Sequence, residues 1–132
     1  MANDPYAPER RDVLLIEDDK AMAEMYAFGL GVKGYQVRIA TSGETALMES
    51  GPERPVGVIV LDLEIRTAGG LAILDDLRHR EATAGTPVIV LFDEDVEYQE
   101  AERHGASACL RKFRITPKEL AGQVERSLRE TA

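Results

Sequence analysis

Five short apolar runs rich in Val, Ile and Leu recur along the chain, at about 12–16, 36–40, 56–61, 87–92 and 107–111. Each is followed by a stretch with helical periodicity, at about 19–32, 43–49, 70–80, 95–104 and 116–129. Continuous apolar runs of this length fit strands buried on both faces. Strands that alternate with helices fit a parallel sheet covered by helices on both sides. The pattern predicts a doubly wound α/β domain. The 132 residues fit one such domain, which buries about two-thirds of its unfolded surface. No apolar run approaches the roughly 20 residues that span a bilayer, so no membrane partner is expected. Residues 1–11 hold Pro5 and Pro8 and no apolar stretch behind a basic start. They read as a flexible N-terminal tail and not as a signal peptide, with a cytoplasmic location expected and the domain over 12–130.

Local signals mark several helix boundaries. Asp19 is placed to cap the first helix, whose Met22, Met25, Tyr26 and Gly29 fall at helical spacing and predict a core face, with Gly31 and Gly34 closing it. Thr116 is a plausible N-cap of the last helix. Pro117 sits at its first position, and Leu120, Val124 and Leu128 form a buried stripe. The fourth helix is poorly anchored: Asp93, Glu94, Asp95, Glu97, Glu100 and Glu102 surround Val96 and Ala101. Few buried contacts predict low local stability there.

The chemistry lies just past the strand runs. Glu17 and Asp18 follow Val13-Leu14-Leu15-Ile16, Asp62 follows Val58-Ile59-Val60-Leu61 with Glu64 two residues on, and Lys112 follows Ala108-Cys109-Leu110-Arg111. Parallel strands end on one edge of a sheet, so these groups should converge. Crowded carboxylates repel, and a site of this kind must hold protons or a cation. Magnesium, with manganese as an alternative, suits oxygen ligands. Glu17 and Asp18 would anchor the metal, and Asp62 would contribute an oxygen and then act as a nucleophilic carboxylate toward a phosphoryl group. The backbone carbonyl of Glu64 is within reach as a further ligand, and Lys112 would pair with Asp62 and then with the phosphoryl group. Taken singly, Asp18 could be a helix cap and Lys112 a surface lysine. The constellation is more specific than its members.

These segments, together with Gly69-Gly70-Leu71 and Gly105-Ala106-Ser107 ahead of the last strand, resemble the receiver domain of two-component response regulators over residues 12–130. The resemblance implies a flavodoxin-like five-stranded parallel sheet of order 2-1-3-4-5 with five helices. It also implies a phosphoacceptor at Asp62, metal-binding acids at Glu17 and Asp18, and a phosphoryl-contacting Lys112. A slip of one residue would put Arg111 in that last role, but the spacing from Gly105 favours Lys112. Gly70 occupies the family's loop glycine, with the expectation of a φ value that other residues resist.

The chain departs from the family at four places. Position 92, where a Thr or Ser normally binds a phosphoryl oxygen, holds Phe92, and no Ser or Thr occurs between Thr86 and Ser107. The aromatic switch position on the fifth strand is Cys109. Arg66 and Phe113 stand where prolines are usual, and a cis bond before Phe113 would cost about 2.5–4 kcal/mol, so a trans bond is expected. Both halves of the usual switch are replaced. An unmet buried polar atom beside Phe92 would cost roughly 1–3 kcal/mol, so phosphorylation is expected to be weakened or uncoupled from shape. The Phe92 ring either fills space or holds the fourth helix in one fixed arrangement.

The resemblance implies a signalling module and not an enzyme, beyond its own phosphorylation and dephosphorylation. The phosphodonor would be a histidine kinase or phosphotransfer protein. A stand-alone module is expected, with output through a downstream protein on the α4-β5-α5 face and self-association as a further option. The rival reading is a pseudo-receiver that signals independently of phosphorylation. A haloacid-dehalogenase-type phosphatase needs a second Asp where Glu64 stands, and flavin binding needs a phosphate loop where Glu17-Asp18-Asp19 would repel phosphate. The formal net charge of −8 opposes direct binding to nucleic acid. Cys109 has no partner for an internal disulfide and reads as a small buried hydrophobe, while His79 and His104 have no metal-site spacing.

Overall fold

The computed structural model describes residues 11–66 and 69–131, apart from the side chains of Asp95 and Val96. The expected N-terminal tail therefore lies outside the described residues save for Arg11, as does the expected anchoring role of Val96. The elements are β1 (Asp12–Ile16), α1 (Lys20–Val32), β2 (Gln36–Ala40), α2 (Gly43–Met48), β3 (Val58–Asp62), α3 (Gly70–Arg78), β4 (Val88–Phe92), α4 (Asp95–Arg103), β5 (Ala108–Arg111) and α5 (Pro117–Thr131). All strand pairs are parallel, in the order β2-β1-β3-β4-β5. Every connection crosses over through a helix, and this brings all five strand C-termini to one edge.

Alternation along each central strand divides the core in two. Leu14, Ile16, Ile59, Leu61, Val88, Val90 and Phe92 face one layer with Ile73, Leu74 and Leu77 of α3, Ala46 of α2 and Ala101 of α4. Val13, Leu15, Val58, Val60, Ile89 and Leu91 face the other, with Ala23, Tyr26 and Leu30 of α1 and Leu120, Val124 and Leu128 of α5. β3 and β4 are buried at every position. That is why their sequences run apolar without alternation.

The caps follow the sequence signals. The Asp19 carboxylate accepts the Met22 N–H at 3.0 Å. Thr116 and Glu119 exchange reciprocal bonds, Oγ1 accepting the Glu119 N–H at 3.1 Å and Oε1 the Thr116 N–H at 3.0 Å. One assignment is corrected: Met25 does not join the core but is 45% exposed, in line with exposed Phe28 and Val32 along α1. The contacts to α5 are made by the Tyr26 side of the helix, and the methionine falls one face away. Arg78 ties α3 to the following loops. Its guanidinium donates to the carbonyls of Thr83, Ala84, Thr86 and Gly105 and to Ser107 Oγ.

Candidate functional site

At the C-terminal edge of the sheet, β1 gives way to Glu17 and β3 ends at Asp62, each after four buried apolar positions. Glu17 is 1% exposed and Asp62 2%. Oxygens of Glu17, Asp18 and Asp62 lie within 4.8 Å of one another. Glu17 Oε2 accepts the Asp19 N–H at 3.1 Å, whereas its Oε1 is buried without a hydrogen-bond partner among the described residues. Asp62 Oδ1 accepts the Glu64 N–H at 2.9 Å. The Lys112 ammonium donates to both Asp62 oxygens, at 3.2 and 3.1 Å, and to Glu64 Oε1 at 2.9 Å. The lysine at the end of β5 thus reaches the pocket, and Arg111 does not. Arg111 lies over the Phe92 ring with 4.9 Å to its centroid and donates to the Asp93 carbonyl.

Burial first, then contact with the Asp62 carboxylate, pushes Glu17 up from 4.5 to about 8. At neutral pH it holds a proton, which can satisfy the orphaned Oε1 against Asp62. A cation among the three carboxylates would satisfy it equally. Asp18 goes the other way: a slight desolvation is outweighed by the Arg66 N–H and guanidinium, which hold its carboxyl below the usual range. Lys112 also loses solvent, but Glu64 and Asp62 more than compensate and raise it above an ordinary lysine. An oxygen-only trio, with Glu17 and Asp62 buried, Asp18 half-buried and one atom unsatisfied, fits a hard divalent cation such as Mg²⁺.

Two contacts here lie outside the sequence reading. Arg66 reads in the sequence only as a replaced proline, yet its backbone N–H donates to Asp18 Oδ2 at 3.0 Å, a bond that proline cannot make. The sequence suggests a role for the Glu64 carbonyl alone, whereas its carboxylate accepts from Lys112. The opposite charge of Arg66 four residues past Asp62, and a fourth acid in reach of the site's one lysine, are the available signals.

Gly70 requires a correction. It starts α3 without a positive φ; the left-handed residue is Gly69, at φ 76°. Gly70 is needed because a Cβ there would meet Leu63 Cα at 2.4 Å. The Lys112–Phe113 bond is trans, with Phe113 at φ 65°. Phe92 is 6% exposed and stacks on Tyr98 of α4, with centroids 5.1 Å apart. Cys109 is half-buried, its Sγ 3.9 Å from the Tyr98 carbonyl, and burial, with Glu102 nearby, pushes its thiol up to about 11. The replaced switch positions are thus filled by one packed cluster.

A five-stranded parallel sheet with this strand order and this acid edge has close counterparts. Residues 13–125 match the family model of the response regulator receiver domain. The chain is 26% identical over 123 residues to the alkaline phosphatase synthesis transcriptional regulatory protein PhoP of Bacillus subtilis, covering 92% of this chain and 50% of that protein. It is 37% identical over 79 residues to the transcriptional regulatory protein KdpE of Mycobacterium tuberculosis, covering 60% and 33%. The chain spans about a third to a half of the curated relatives it matches. Among solved structures, the receiver domain of NtrX from Brucella abortus superposes with a TM-score of 0.82 at 25% identity, covering 92% of this chain and 100% of that one. The chain belongs to the response regulator receiver domain family.

Proposed function

We propose that this receiver domain takes a phosphoryl group on Asp62 in a Mg²⁺-dependent reaction and passes the signal on by protein contact. The supporting observation is the pairing of a buried Asp62 carboxylate with Lys112 at 3.1 Å, beside an acid trio whose oxygens lie within 4.8 Å. Glu17, Asp18 and Asp62, with the Glu64 carbonyl, would hold the ion. When bound, it supplies positive charge against the phosphoryl oxygens. An oxygen of Asp62 attacks phosphorus. The Lys112 ammonium, already bonded to Asp62 and Glu64, turns toward a phosphoryl oxygen and neutralises the charge brought in. The donor would be a phosphohistidine of a kinase or phosphotransfer protein, and the output surface the α4-β5-α5 face. Incubation with acetyl phosphate and Mg²⁺ adds one phosphate by mass, lost in Asp62→Asn. No mass change in the unsubstituted chain at saturating donor would remove this reading.

A second reading is favoured by the stack at positions 92 and 98. Phe92 offers no hydroxyl to the phosphoryl group and clasps α4 through Tyr98, with Arg111 on the ring. This supports a module whose output face is held in one arrangement whatever the state of Asp62. Amide exchange in α4 that is identical with and without beryllofluoride, while the mass shift still occurs, selects this variant.

A further inference from the structure

Phe113 breaks two local rules at once. It is a bulky residue at φ 65°, in the left-handed region that side chains other than glycine's rarely adopt, and its ring is 70% exposed. A conformation of this kind is strained, and an exposed ring returns nothing to the core in exchange. What the strain achieves is placement. The Lys112 ammonium lies 5.4 Å from the ring centroid, while Lys112 itself is only 7% exposed and Asp62 2%. The ring therefore stands on the solvent side of the lysine, at the mouth of the acid pocket.

In-line transfer to Asp62 puts the leaving group opposite the attacking oxygen, and so toward that mouth. On the phosphoacceptor reading, on which this inference rests, the O–P bond to Asp62 forms as the P–N bond of an N-phosphorylated imidazole breaks. The bonding pair stays on the leaving nitrogen. The ring departs as neutral imidazole, its other nitrogen already carrying a proton. A flat heteroaromatic ring leaving past an aromatic face is stabilised by stacking. We propose that Phe113 is a donor-selecting residue, whose ring packs against the imidazole of the phosphodonor and favours it over donors with no ring.

The test compares two donors in which the same type of bond breaks, monophosphoimidazole and phosphoramidate, with Mg²⁺ present, on the unsubstituted chain and on Phe113→Gly, Phe113→Leu and Phe113→Tyr. The readout is the ratio of initial phosphorylation rates. Loss of one stacking contact lowers the ratio by about two- to tenfold in Gly and Leu, and Tyr restores it. Phosphoramidate rates stay level. Glycine suits a φ of 65°, so the Gly variant melts no lower than the unsubstituted chain, and the Leu and Tyr pair carries the comparison without it. An unchanged ratio, or a parallel fall with both donors, overturns the role of Phe113 while leaving Asp62 as phosphoacceptor. No uptake from either donor by the unsubstituted chain overturns both.

Discussion

The two ends of the strand edge are built on opposite principles. At the β1–β3 end, Asp62 and Glu64 share the Lys112 ammonium, Asp18 takes the Arg66 N–H, and a buried Glu17 oxygen has no partner among the described residues. At the β4–β5 end, Phe92, Tyr98, Arg111 and Cys109 close on one another as a packed cluster. The first end satisfies that oxygen with a proton or with a cation. The second is complete as it stands. A ligand changes a protein's shape only through unequal affinity for two states, and here the end that would feel the ligand is separate from the end that would have to move.

The largest effect should come from opening the closed end. Truncating a buried aromatic costs about 3–5 kcal/mol, so Phe92→Ala should lower the thermal midpoint by many degrees and strip amide-exchange protection from α4, whose other buried anchor among the described side chains is Ala101. The matching change at the open end, Asp62→Asn, removes a like charge beside Glu17. Without metal it should leave the midpoint unchanged or raised. Equal losses from both substitutions would abolish the contrast.

A smaller effect, and a sharper one, follows from Glu17. Its folded value of about 8 lies above the ordinary 4.5, so below 4.5 both states carry the proton. Between those values the unfolded chain gives up its proton and the folded chain keeps it. Stability without metal therefore falls as pH rises across that window and levels off above it. Glu17→Gln should flatten this slope and melt higher than the unsubstituted chain at pH 8. Cation binding needs the carboxylate, so Mg²⁺ affinity, followed by calorimetry, should climb by up to about tenfold per pH unit below 8, with proton release. A flat affinity profile would show that Glu17 does not hold the ion.

The sequence disclosed most of this arrangement for a simple reason. Strands buried on both faces must be apolar throughout, so the polar residue at which each run stops marks the sheet edge. Glu17 and Asp62 stand out on that ground alone, whereas β5 stops at Arg111 and Lys112 is singled out by its spacing from Gly105. What stayed hidden depends on distance in space and not on pattern. That Gly70 is required by contact with Leu63, while the positive φ falls on Gly69, is a matter of how α3 docks on its loop. Met25 fits the helical period of the core face and is exposed because α5 contacts the neighbouring side. Tyr98 and Phe92 are six residues apart across a turn, and no periodicity pairs them.

The smallest predicted effect tests whether the open end is tuned from outside. Arg66 is 84% exposed at its side chain, with Nε 3.5 Å from Asp18 Oδ2, so solvent screens most of its charge. Exposed pairs of this kind are worth about 0.2–1 kcal/mol. Arg66→Ala keeps the backbone N–H on Asp18 and removes only the guanidinium that competes with a cation for that carboxylate. Mg²⁺ affinity should rise by about two- to fivefold in low salt, and the gain should shrink as salt is added, since the interaction removed is itself screened. Arg66→Pro also removes the N–H and should add to the gain wherever the loop tolerates the fixed φ. If Arg66→Ala instead weakens Mg²⁺ binding, the guanidinium is positioning Asp18 for the ion and not competing with it. The open end would then be partly preorganised, and closer in construction to its closed neighbour.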